Sequence, residues 1–187
     1  MNPLVLLAKS AVEKFIGEKR IVEIPNDFPK DFLERKAGTF VTIEKDGELR
    51  GCIGTYLPTR INVAEEIIYN AIAAAIEDCR FEPIQEKELN YLIYTVYILG
   101  CPGLARDIKE LNPEKFGIIV RTSPFTFSNE KEVVFDGVVP YKTGLLLPDL
   151  EGVDTAEKQI SIACQKGGIN PEGETIFIYK FTVEKYQ

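Results

Sequence analysis

The chain contains no histidine among its 187 residues. That absence removes Ser-His-Asp triads, Cys-His dyads, His-ligated zinc and facial-triad iron together. Polar catalysis would fall to carboxylates, Lys, Arg, Tyr, Cys or backbone amides. Cysteine is sparse: the four thiols stand at positions 52, 79, 101 and 164, with no Cys-x-x-Cys pair. The spacing excludes a zinc ribbon and a thioredoxin-type motif and leaves four free, mostly buried thiols as the expectation. A metal site would need oxygen ligands alone or scattered thiols, so neither a metal nor another cofactor is expected. No apolar run approaches the roughly 18 residues of a membrane span. The opening Asn2-Pro3-Leu4-Val5-Leu6-Leu7 has no basic n-region and soon turns into a charged helical pattern. It does not read as a signal peptide, so a cytoplasmic protein is expected. Positive charge is also short, with 22 Lys and Arg against 29 Asp and Glu and a net charge of −7. That balance disfavours wholesale binding to nucleic acid, whose affinity rests on cations meeting phosphates. Internal repeats, low-complexity tracts and linkers are lacking as well.

The one chemically dense stretch is Leu49-Arg50-Gly51-Cys52-Ile53-Gly54. It follows an apolar run from Thr39 to Ile43 and an Asp46-Gly47 pair, a strong hairpin signal because a tight turn needs positive φ. Residues 40–44 and 49–53 are therefore expected as antiparallel strands, with Arg50 and Cys52 on one face. A two-residue turn sets Ile43 opposite Arg50 and Val41 opposite Cys52, and a three-residue loop reverses that parity. Gly51 and Gly54 mark a bulge, a bend, or a close approach by a ligand or another backbone. The Gly51-x-x-Gly54 spacing also matches a KH loop, but that loop needs flanking helices and this one follows a strand.

Around this stretch the pattern mixes hairpins and helices. Residues 3–16 read as a helix ended by Gly17, and 21–36, with Pro25 and Pro29, as irregular chain tacked down by Phe28, Phe32 and Leu33. A helix capped by Asn62 runs to about Glu77, apolar on more than one stripe and hence buried. Residues 92–99 and 175–183 read as strands covered on both sides, and 116–121 as another strand. Residues 125–127 and 132–135 form a further expected hairpin, followed by an Asp136-Gly137 turn into Val138-Val139. A last helix starts at Asp154-Thr155 and stops at Gly167-Gly168, with Ala156, Ile160, Ala163 and Cys164 inward. Regular βαβ alternation is missing, so the expectation is one α+β domain over 1–187, mostly antiparallel sheet with packed helices, in two lobes sharing one compact unit.

The run Gly47-Glu48-Leu49-Arg50-Gly51-Cys52-Ile53-Gly54-Thr55 resembles the signature of the AMMECR family. The resemblance continues through Asp78-Cys79-Arg80-Phe81-Glu82-Pro83, Glu88-Leu89, Gly144-Leu145-Leu146-Leu147-Pro148 and Cys164-Gln165-Lys166-Gly167-Gly168-Ile169. Residues 122–141 are longer than the family pattern, a local elaboration. The resemblance implies a bacterial or archaeal protein of the AmmeMemoRadiSam set, whose genes accompany MEMO-like and radical-SAM proteins. The first expectation is a ligand- or partner-binding accessory module working with those proteins, whose groove is Leu49, Arg50, Gly51, Cys52, Ile53 and Gly54, with Asp78, Arg80 and Lys166 on its rim. A weaker association with replication or translation machinery would, for so acidic a chain, run through protein contacts.

Each of these residues carries two readings. Cys52 is either a nucleophile favoured as thiolate by neighbouring Arg50, or a small buried hydrophobe. The alternative to a binding module is thus a small enzyme using Cys52, or Arg50 with Asp78 in polar catalysis. Arg50 is either a clamp for a small anionic ligand or one half of an ion pair with Glu44, Glu77 or Asp78. Asp78 and Arg80 form a charged cleft rim or a tertiary ion pair at a helix end. Lys166 faces the same cleft or simply complements a helix C-terminus. Leu145-Leu146-Leu147 is core or an exposed docking ridge.

Overall fold

In the computed structural model, residues 2–124 and 141–187 are described in full, and 126–128 and 132–134 as backbone. The chain divides into two units, Met1–Leu99 with Glu184–Gln187, and Gly100–Val183.

The first unit is a four-stranded sheet with helices on one side. Strand β1 (Thr39–Lys45) pairs antiparallel with β2 (Glu48–Gly54) and with β3 (Leu92–Leu99), and β10 (Val183–Tyr186) completes the order β10-β3-β1-β2. The hairpin forms as its sequence dictates, with Asp46 at φ 54° and Gly47 at φ 81°, both in the left-handed region that a two-residue turn uses. Helix α1 (Pro3–Glu18) begins with Asn2 Oδ1 accepting from Leu4 N–H and Pro3 at its first position, where a missing N–H costs nothing. It continues through Gly17, the expected stop, and ends at Lys19, whose φ of 56° and N–H to Phe15 O make the left-handed cap. The segment expected as irregular holds one helical turn, α2 (Asp31–Glu34), and Phe28, Phe32 and Leu33 tack it to the core.

Helix α3 (Val63–Ile76) starts where Asn62 Oδ1 accepts from Glu65 N–H at 2.9 Å, and ten of its fourteen residues are buried. It packs against α1, β1 and β2, and Val41, Ile43, Ile67, Ala71, Val96 and Ile98 meet in the core between. Small residues let the helix come close to the sheet. A Cβ on Gly51 would run into the Ala74 carbonyl, so among the ligand, bulge and backbone readings of this glycine the neighbouring helix backbone accounts for it. A short 3₁₀ segment, Glu86–Tyr91, leads into β3. That strand is covered on its inner side, but Ile93 is 57% exposed on the outer side, against the expectation of cover on both faces.

The second unit has a sheet in the order β4-β9-β5-β8, made of β4 (Gly103–Leu104), β5 (Gly117–Arg121), β8 (Thr143–Leu146) and β9 (Phe177–Phe181). The short strands β6 (Thr126–Ser128) and β7 (Glu132–Val134) pair antiparallel, as the hairpin signal predicted, whereas the Asp136-Gly137 turn and Val138-Val139 lie outside the described residues. Helix α4 (Ala156–Gly167) is capped by Thr155 and ends at Gly168, φ 61°. Its buried residues are Gln159, Ala163 and Cys164, with Ala156 and Ile160 half-covered. Gln159 sits on the inner stripe because its Nε2 donates to Phe116 O at 2.8 Å. Within 145–147 only Leu146 is fully buried, since the strand alternates. The apolar run 175–183 is not one strand: it breaks at Thr182, so β9 joins the second sheet and β10 the first. Among the described residues no helix is long and apolar enough to cross a membrane.

Gly51→Ala tests the helix contact. The added methyl must displace helix backbone rather than a flexible side chain, so a loss of about 2 kcal/mol or more is expected in urea unfolding. Gly17→Ala, with open space around it in the last turn of α1, gains about 0.5 kcal/mol.

Candidate functional site

Near its turn the β1–β2 hairpin has the two-residue register, with Lys45 opposite Glu48 and Glu44 opposite Leu49. Beyond that it slips by one, so that Ile43 faces Gly51, Thr42 faces Cys52 and Val41 faces Ile53. Arg50 is the extra residue, and the expected pairs Ile43–Arg50 and Val41–Cys52 do not form. A bulge interrupts strict alternation, so the argument that Arg50 and Cys52 share a face fails here.

The bulge turns Arg50 onto Glu88. Nε donates to Oε1 and Nη2 to Oε2, both at 3.1 Å, a bidentate fork. Lys45 Nζ adds a bond to Oε1 at 3.1 Å, and the backbone N–H of Gln85 one to Oε2 at 3.0 Å. The two side chains of the fork are only 17% and 11% exposed. Arg50 foremost, against an opposing push from burial, holds the Glu88 carboxyl down to about 2. The ion-pair alternative for Arg50 is thus realised, though its partner is none of the three carboxylates expected, Glu44, Glu77 or Asp78. The sequence marked Glu88 only as part of the family pattern.

Cys52 lies on edge strand β2 and is held from two sides. Its Sγ is 3.3 Å from Thr42 Oγ1, which donates to it across the hairpin. Its backbone N–H donates to Asp78 Oδ2 at 2.9 Å, and its carbonyl lies 3.5 Å from Arg80 Nη2. Arg80 in turn grips Asp78 through Nε at 2.9 Å and Nη2 at 2.7 Å. This pair covers the open edge of the sheet at one residue, an arrangement that blunts strand addition there. Asp78 is buried, and Arg80 foremost, aided by the Cys52 and Arg80 amides against the effect of burial, lowers its carboxyl to about 2. The corner after α3 therefore does reach the central stretch, through Cys52 rather than Arg50.

Of the remaining groove residues, Ile53 packs on the core, and a Cβ on Gly54 would meet the Phe40 ring and the Thr39 carbonyl. Leu49 is 41% exposed. Lys166 belongs to the second unit, exposed in the last turn of α4, the position of a cation complementing a helix C-terminus. Cys164 is buried, which raises its thiol pKa, while Cys79 and Cys101 are exposed, not buried as expected for most of the four.

The two registers lay out the outer face of the sheet in rows. Leu49, Glu44 and Ile93 form one row, and Cys52, Thr42 and Thr95 the next. Leu49, Ile93 and Tyr91, which directly precedes β3, are 41%, 57% and 63% exposed. A second polar cluster was not anticipated. Glu66, 1% exposed on the buried helix, accepts from Thr55 Oγ1 at 2.6 Å and from Thr59 Oγ1, Thr59 N–H and Arg60 N–H at 2.8 Å each. Asn70 Nδ2 donates to Thr39 O, Thr39 Oγ1 and Thr55 Oγ1 alongside. The available signal was an acid and an amide four apart, Glu66 and Asn70, within an apolar helix. Among the described residues no group of three or more Cys, Asp or Glu is placed to hold a metal ion.

Arg50→Ala leaves Glu88 with Lys45 as its one cation. A loss of roughly 2–3 kcal/mol is expected in thermal or urea unfolding, below the full value for an orphaned buried charge because Lys45 and the Gln85 amide remain. Acid acts through the same groups. Glu88 and Asp78 have folded pKa values near 2, below the ordinary 4.5 and 3.8, so their contribution is complete above about pH 5 and is lost as pH falls toward 2. In unfolding curves recorded from pH 6 to 2, Glu88→Gln should flatten that decline.

The chain matches the AMMECR1 family over residues 5–186. A protein of Thermotoga maritima is 44% identical over 187 residues, covering 100% of this chain and 98% of that protein. A protein of Clostridium acetobutylicum is 39% identical over 188 residues, and there this chain spans only 36% of the relative's length. A protein of Thermococcus kodakarensis is 34% identical over 198 residues, covering 98% of this chain and 88% of that one. The crystal structure of an uncharacterized protein from Pyrococcus horikoshii superposes with a TM-score of 0.80 at 30% identity, covering 97% of this chain and 88% of that one. With its α+β architecture, its central stretch and a family match spanning nearly the whole chain, this protein belongs to the AMMECR1 family.

Proposed function

We propose that the protein is an accessory module that binds a protein partner on the outer face of its first sheet, beside Leu49 and Cys52. The observation that carries this reading is the exposed row Leu49–Glu44–Ile93 with Tyr91 next to it. Apolar side chains clustered on a sheet face in contact with water are a recognised mark of an interaction surface. Glu44 stands in the middle of the row, so the face suits a segment that sets a Lys or Arg between apolar residues. The relatives support a module: the same domain accounts for 98% of the Thermotoga protein and for 36% of the much longer Clostridium one. Fusion raises the effective concentration of a partner and suits a domain that works beside another. The partners we propose are the MEMO-like and radical-SAM proteins that the family resemblance implies, with a cytoplasmic location. Arg50 is not the recognition element in this reading, since a small anion at its fork would have to displace Glu88.

A second reading is thiol chemistry at Cys52. It is favoured by the hydroxyl of Thr42 donating to Sγ and by the guanidinium of Arg80 at the same residue, both of which stabilise a thiolate.

Purified MEMO-like and radical-SAM proteins titrated against this chain by calorimetry test the first reading. Saturable binding is expected to one of them, weakened at least about tenfold by Ile93→Asp and by Leu49→Asp, with melting temperatures close to the parent. Failure of both proteins to bind, or indifference to both substitutions, overturns it. Iodoacetamide kinetics on Cys52, with Cys79→Ser and Cys101→Ser removing the exposed thiols, tests the second. A reactive thiolate at pH 7 that slows in Thr42→Val is its expected outcome, and inertness ends it.

A further inference from the structure

We propose that Arg60 and Ile61 form a docking point for a protein partner that presents a carboxylate side chain next to an apolar residue. This site is carried by different observations from the sheet face. The loop between β2 and α3 is drawn onto Glu66, a carboxylate with 1% exposure whose four donors come from Thr55, Thr59 and Arg60. Two of the four are backbone amides, so the conformation of residues 59 and 60 is set directly by a buried charge. Asn62, 8% exposed, closes the loop as the cap of α3. A loop bound in this way loses little freedom on association, the cost that weakens flexible contacts.

What the loop holds up is an exposed cation and an exposed apolar side chain. Ile61 is 66% exposed, the highest value among the large hydrophobic residues described. The Arg60 guanidinium lies over the Tyr69 ring, its Cζ 3.7 Å from the centroid. Arg60 is exposed, and a guanidinium held against a ring through its face keeps its N–H edge, the edge that grips a carboxylate bidentately, for another partner. The charge pattern singles this residue out. Among the described residues of the first unit, Arg20, Arg35, Arg50 and Arg80 each stand in an ion pair with an acid, and Arg60 alone does not. In a chain with seven more acids than bases, a guanidinium that pairs with no carboxylate among the described residues is complementary to an external one. The adjoining Ile61 selects a protein surface over a free anion, because it contributes only when apolar area is buried with it.

The test is a titration of the full isotope-labelled chain, followed by NMR, with the peptide acetyl-Leu-Glu-Leu-amide. Acetyl-Leu-Gln-Leu-amide and inorganic phosphate serve as comparison probes. Saturable shifts are expected at the Arg60 Nε–H and the Ile61 methyls, with affinity falling about tenfold or more in Arg60→Gln and several-fold in Ile61→Ser. Ile93→Asp, on the sheet face, should leave this binding unchanged, so the two sites succeed or fail separately. Absence of saturable shifts, equal binding of the Gln peptide, or persistence of binding in Arg60→Gln overturns the proposal. So does phosphate that matches the acidic peptide at Arg60, which would mark a bare anion site.

Discussion

One residue too many in an edge strand sets the character of the first unit. β2 meets β1 in one register at the turn and in another beyond it, and Arg50 is the residue that takes up the difference. A bulge leaves its residue outside the ladder and bends the strand, so its side chain needs an anchor elsewhere. Glu88 is that anchor, and because it also takes Lys45 and the Gln85 amide, the strand, the turn and the segment entering β3 are fixed by one carboxylate. The same slip puts Gly51 opposite Ile43 on the inner side, where α3 needs a residue without a side chain. It also puts Cys52 opposite Thr42 on the outer side. The helix contact and the thiol environment both depend on the bulge.

Acid groups organise the unit three times over. Glu88 fixes the hairpin, Asp78 with Arg80 covers the sheet edge at Cys52, and Glu66 gathers the loop before α3. The three differ in how the charge is balanced. Glu88 and Asp78 meet guanidinium forks, while Glu66 accepts from the hydroxyls of Thr55 and Thr59 and the amides of Thr59 and Arg60. Charge-assisted hydrogen bonds are about twice as strong as neutral ones, so either solution can hold a carboxylate out of water. Where a guanidinium answers the acid, the acid uses it up. Where amides and hydroxyls answer it, nearby Arg60 keeps its charge available.

The hairpin, the capped buried helix and the last helix were legible because their signals are local: Asp46-Gly47, Asn62 before an apolar run, Thr155 and Gly168 as caps. The bulge was not, because a one-residue register slip depends on what waits across the sheet, and Glu88 is 38 positions from Arg50. The division of 175–183 between two sheets was hidden for a similar reason, since periodicity reports burial and not which sheet buries it. Glu66 and Gln159 were passed over because polar residues on a helix are read as its wet side. Each is buried only by virtue of partners distant in sequence or in an irregular loop, donors that no helical period reveals.

The six residues of the central stretch can now be separated by what the fold asks of each. Gly51 and Gly54 make room for backbone and for the Phe40 ring, Ile53 faces the core, and Arg50 is bound to Glu88. A stretch that looks like a catalytic motif therefore consists largely of solutions to packing an edge strand against a helix. Leu49 and Cys52 are different. Leu49 is exposed in a row with Ile93, and Cys52 presents its sulfur toward Thr42 on the outer side, where no helix of the first unit packs on it. The two proposed roles of this stretch therefore rest on an apolar residue and a hydrogen-bonded thiol, while the arginine that draws the eye in the sequence anchors the bulge between them to Glu88.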